Sequence, residues 1–104
     1  MKSKPQFADS KVEKAFKSIR DKELKKQLEK AFNNLEENAF CGIQIPKKLI
    51  PKEYKKFGEL TNLWKYNLPG AWRLIYTIER DKINVLSVIL EWMDHKTYER
   101  RFNY

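Results

Sequence analysis

A chain of 104 residues supplies one domain with a single core of modest size and is too short for two. Lys and Arg total 22 against 14 Asp and Glu, a net charge of +8 that makes a polyanion the natural partner, while the single cysteine, Cys41, excludes an internal disulfide. With one histidine, His95, and no apolar run suited to a signal or membrane segment, no metal, cofactor or membrane is expected, and the cytoplasm is the expected location.

Taken along the chain, Ser10 and Glu13 have capping-box spacing, and Val12, Ala15, Phe16 and Ile19 follow on one helical face. A first helix over residues 10–20 is expected. Asp21 can cap a second, where Leu24, Leu28, Ala31, Phe32 and Leu35 keep helical spacing until Asn38 and Gly42 offer a stop. Residues 10–38 therefore read as an antiparallel helical hairpin. Residues 42–58 form a basic connector with Lys47, Lys48, Lys52, Lys55 and Lys56, and with room for one or two helical turns after Pro51. Its lysines either contact phosphates or are simply solvated. The charge is uneven: residues 1–58 carry 15 of the cations and 8 of the anions.

Residues 63–92 read as sheet. LWKYNL, the turn Pro69-Gly70 and WRLIYTIE make a hairpin, and INVLSVILEW, nearly all apolar, is expected to be the central strand. In residues 94–104, the stretch from Asp94 to Phe102 is either a short helix capped by Asp94 or an edge strand. The expected fold class is α+β, two antiparallel helices packed on a small, mainly antiparallel, twisted sheet with a short C-terminal helix or tail.

Strand alternation puts Trp64, Tyr66, Leu68, Leu74, Tyr76 and Ile78 under the helices. Lys65, Asn67 and Arg73 then line the opposite face as an open groove, to which the tail brings His95, Lys96, Tyr98, Arg100 and Arg101. Plainer readings exist for each residue. Arg73 can pair with Glu91 or Glu79, His95 can serve only the start of a helix, and Tyr98, Phe102 and Tyr104 can anchor the tail in the core.

Two helices, then LWKYNLPGAWRLIYTIERDKINVLSVILEW, then DHKTYERRF resemble the RelE/ParE toxin superfamily, most specifically at Trp72, Arg73, Leu74, Ile75 and Tyr76. The nearest resemblance is to the RelE-like branch. It implies a type II toxin, an mRNA interferase cleaving messenger at the ribosome by metal-independent attack of a ribose 2'-hydroxyl, silenced by a small, often acidic, cognate antitoxin. The resemblance implies that Arg73 stabilises the phosphate, that Lys65 acts as base or charge stabiliser, and that His95, Lys96 and Tyr98 supply the remaining chemistry. Asn67, Arg100, Arg101, Lys47 and Lys48 would then contact RNA. Asn67 replaces a second lysine of the RelE pattern, and an amide cannot supply that charge. Two alternatives remain: a ParE-like toxin inhibiting gyrase by protein contact, and a non-catalytic relative binding RNA or a partner. Family members commonly begin with an edge strand, whereas residues 1–9 offer little beyond Phe7 and Ala8, so a missing or shortened strand is expected.

Overall fold

The computed structural model describes residues 1–102. Tyr104, expected above to anchor the tail, lies outside the described residues.

Two aspartates start the helical hairpin. The Asp9 carboxylate accepts the Val12 N–H at 2.9 Å and caps α1, Ser10–Lys17, so Ser10 is the first helical residue rather than the cap. Asp21 accepts the N–H groups of Glu23 and Leu24 at 3.0 and 3.1 Å and caps α2, Lys22–Glu37, as its sequence predicts. α1 ends three residues early, and Ser18 takes over as its C-cap.

Five strands follow the order β1-β5-β4-β3-β2, with β1 Lys4–Phe7, β2 Ile43–Ile45, β3 Leu63–Leu68, β4 Trp72–Arg80 and β5 Val85–Asp94. The expected edge strand is present but short: β1 has four residues and pairs in parallel with β5 from Lys4↔Leu86 to Phe7↔Ile89. Backbone pairing needs only accessible N–H and C=O groups, and Pro5 is tolerated because β1 is an edge strand. β2 lies inside what reads as a connector, three residues long and antiparallel to β3. The middle strand is β4; β5 is interior but lies between β4 and β1. The hairpin of β3 and β4 pairs Asn67 with Arg73 and Leu68 with Trp72 around Pro69–Ala71, where Gly70 (φ 74°) and Ala71 (φ 64°) both take the left-handed region.

The molecule has two cores rather than one. On the helical side, Leu24, Leu28, Ala31 and Leu35 of α2 close over Leu68, Leu74, Tyr76 and Ile89. On the other side, the face expected to be an open groove carries Leu63, Ile75, Val88, Leu90 and Met93, and these are covered by Tyr54 of the 3-10 segment Lys52–Phe57 and by Tyr98 and Phe102 of α3, His95–Phe102. A bulge in β5 at Leu90, between the pairs Ile75↔Glu91 and Tyr76↔Ile89, turns Leu90 into this second core.

β2 reaches only Lys65 on β3, and β1 reaches only Ile89 on β5. The sheet is five strands wide only in its middle, at Gln44, Trp64, Tyr76, Ile89 and Phe7, and narrows to β3, β4 and β5 at the end where Asn67, Arg73 and Met93 sit side by side.

Candidate functional site

At the three-stranded end, strand register brings Lys65 and Arg73 to the same face, Arg73 opposite Asn67 and Lys65 two residues away. Asp94 then starts α3: its carboxylate accepts the Thr97 N–H at 2.8 Å, which holds its pKa below the ordinary carboxylate value. One turn later, Tyr98 points back beneath the cations. Lys65 Nζ lies 4.9 Å and Arg73 Cζ 5.8 Å from the centre of its ring. Arg73 donates to the Trp72 carbonyl at 3.1 Å and its Nη2 lies 3.4 Å from His95 Nδ1, while His95 Nε2 lies 2.8 Å from Glu99.

Arg73, Lys65, His95 and Tyr98 are therefore gathered as the sequence implies, but in a different capacity. Tyr98 is 2 % exposed and stacks on Phe102 at 4.5 Å, so it is a core residue whose ring is already taken by two cations. His95 is held between Arg73 and Glu99. Arg73 pairs with neither Glu91 nor Glu79; Glu91 is instead bound by Arg101 at 2.7 Å, with Glu53 3.9 Å from the same guanidinium. Arg101 thus tethers α3 to β5 and to the 3-10 segment. Asn67, Lys96 and Arg100 are exposed at this end or on the outer side of α3, and Lys47 and Lys48 are exposed on a separate 3-10 turn, Lys47–Leu49.

Sequence reasoning missed Tyr54 and the Glu91–Arg101 pair. Their signal was present: a lone acid in an apolar strand demands a cation. Burial raises the Tyr54 phenol well above its ordinary value and the Glu91 carboxylate beside it adds to the shift; burial raises Tyr76 likewise. Tyr76 donates to the Ala39 carbonyl at 2.8 Å and accepts the Gly42 N–H at 3.2 Å, which fastens the start of β2 to β4.

A cleft of about 450 Å³ opens elsewhere, where β1 ends. Leu90, Glu91 and Trp92 of β5 form its floor, and α1 and the segment Lys52–Phe57 form its walls.

A mixed sheet with a helical hairpin on one face and a C-terminal helix on the other defines a small α+β protein with the fold of the RelE/ParE superfamily. The family model described as ParE toxin of type II toxin-antitoxin system, parDE, matches residues 7–92, and the chain belongs to that family. No curated protein and no solved structure matches the chain. The match overturns the RelE-like assignment, and with it the mRNA interferase activity, the endoribonuclease chemistry and the expectation of messenger and ribosome as partners. The physical reason lies in the site: Asn67 replaces a cation, and the remaining cations rest on a buried tyrosine. Among the described residues no helix is long and apolar enough to cross a membrane.

Proposed function

We propose that this protein is the toxin of a type II toxin-antitoxin pair and that it inhibits DNA gyrase by protein contact, without catalysis of its own. The observation that carries this reading is the match to the ParE family over residues 7–92. The geometry supports it, since Arg73, Lys65, Tyr98 and His95 are engaged with one another in holding α3 against the sheet. The exposed cations Lys47, Lys48, Lys96 and Arg100 provide surface for an acidic partner, the cognate antitoxin first among them.

A supercoiling assay tests the reading directly. Purified protein added to gyrase and relaxed plasmid is expected to stop supercoiling, and a cognate antitoxin is expected to restore the reaction. Full supercoiling in the presence of a stoichiometric excess of the protein would sink the proposal.

A further inference from the structure

We propose that the outer side of the helical hairpin binds the phosphate backbone of double-stranded DNA without reading its sequence. Residues 14–26 span the last turn of α1, the loop and the start of α2. They carry six cations, Lys14, Lys17, Arg20, Lys22, Lys25 and Lys26, against two acids, Asp21 and Glu23. The net charge of +4 is half of the chain's +8 in an eighth of its length. Widening the stretch to residues 11–30 adds two charges of each sign and leaves +4 in place. A patch of one predominant sign draws in a polyanion.

The charges are not placed as on a face that is merely solvated. Such a face sets opposite charges at helical neighbours, where they pair. On α2, Lys22, Lys26 and Lys30 instead follow one another at i, i+4 and i+8, a spacing at which like charges oppose helix formation. All three are exposed, and among the described residues none of them enters an ion pair. Glu23 and Glu29 flank the row without joining it, and Glu23 accepts a hydrogen bond from Gln27 at 3.2 Å. At about 1.5 Å per residue the row is roughly 12 Å long. It spans three to four phosphates of one strand at about 3.4 Å each. Arg20, exposed in the loop, supplies a fourth cation.

What the patch lacks selects the occupant. Protein partners bury an apolar or aromatic centre, and lysine is depleted from such interfaces. The exposed large apolar residues, Met1, Phe40, Ile43, Leu49 and Ile83, all lie outside the hairpin. Single strands need aromatic rings on which bases stack. The aromatic ring nearest the loop, Phe16, is half-buried against Phe7 and Phe32, and the Lys25 ammonium stands 5.2 Å from its centre. A surface of cations with nothing to stack on or to read a base fits the backbone of a duplex. This inference goes beyond the gyrase reading, because it is measured on DNA with no enzyme present.

The test is fluorescence anisotropy of a labelled duplex of about two helical turns, titrated with the full chain at several salt concentrations. Four phosphate contacts predict a slope of about −3.6 in log K against log salt, so binding weakens about a hundredfold between roughly 50 and 200 mM. Lys22→Gln, Lys26→Gln and Lys30→Gln together keep good helix formers and are expected to flatten the slope by about 2.7 and to weaken binding at least about thirtyfold at the lower salt. Lys47→Gln, Lys48→Gln and Lys52→Gln remove the same charge from elsewhere and are expected to change the slope by less than about 1. In the unsubstituted protein the duplex is expected to shift the backbone amide resonances of residues 17–30. Each of the following overturns the proposal: no binding at the lower salt, a slope shallower than about −2, equal losses in the two triple variants, or amide shifts centred outside the hairpin. Tighter binding of a single strand, or of polyglutamate, than of the duplex overturns it as well, and assigns the patch to that occupant.

Discussion

Replacing Tyr98 by alanine distinguishes a buried pillar from an exposed stacking platform. The ring is 2 % exposed, lies against Phe102 with centroids 4.5 Å apart, and supports Lys65 and Arg73 at 4.9 and 5.8 Å. Removing a buried aromatic side chain costs about 3–5 kcal/mol, because the transfer free energy is lost and the site collapses only in part. The two cations add about 0.5–1 kcal/mol each, at the low end because both are partly exposed. The expected loss is about 4–6 kcal/mol, a large share of the roughly 5–15 kcal/mol that holds a domain together. At about 4 °C per kcal/mol the melting temperature falls by at least about 15 °C. Urea unfolding followed by tryptophan fluorescence measures the change, with Arg73→Gln as a companion expected to lose only about 1 kcal/mol. A loss below about 2 kcal/mol for Tyr98→Ala, with an unchanged m-value, refutes the reasoning.

Three further outcomes follow from other contacts of the fold. In Gly42→Ala the new Cβ meets the Lys65 carbonyl and the Tyr76 hydroxyl at 2.6 Å each. Since the backbone there is ordinary extended chain, the cost is steric, about 1–3 kcal/mol in urea unfolding; a neutral substitution would contradict the fastening of β2 to β4. Asp21→Ala removes the acceptor for two N–H groups and should cost about 1 kcal/mol, with reduced far-ultraviolet helicity. Tyr54 and Tyr76 have phenols raised by burial, so above about pH 10 the unfolded chain releases protons that the folded chain keeps, and stability declines as pH rises. Unfolding midpoints taken across that range should fall, and less steeply in Tyr54→Phe; a flat profile is the adverse result.

Much of the fold was legible in local pattern. α2, the hairpin of β3 and β4, and the apolar run of β5 each carry their signal within one segment, in helical spacing, a turn pair or β-rich composition. β1 and β2 carry none, because Lys4–Phe7 and Ile43–Ile45 are short and their pairing is decided by distant strands. The second core was hidden for a related reason. Polar Lys65, Asn67 and Arg73 dominate one end of that face, whereas the residues that cover the rest, Tyr54, Tyr98 and Phe102, come from a proline-bounded 3-10 segment and a tail. The cluster at Arg73 was legible as a neighbourhood, since alternation and register fix it. Its role was not, because whether a tyrosine under two cations is a platform or a pillar depends on burial.

The parallel pairing of β1 with β5 has a consequence in time. Ser3 and Ser87, 84 positions apart, meet through buried hydroxyls 2.7 Å from each other, and Ser3 also donates to the Leu35 carbonyl. The first strand must therefore wait for the last before its lane in the sheet exists, and until β5 has been made both cores lack part of their floor, Ile89 in one and Val88, Leu90 and Met93 in the other. A nascent or truncated chain that stops before Val85 contains the helical hairpin and β2, β3 and β4, but neither core is complete. Both cores are therefore closed only once the chain from Val85 onward has emerged.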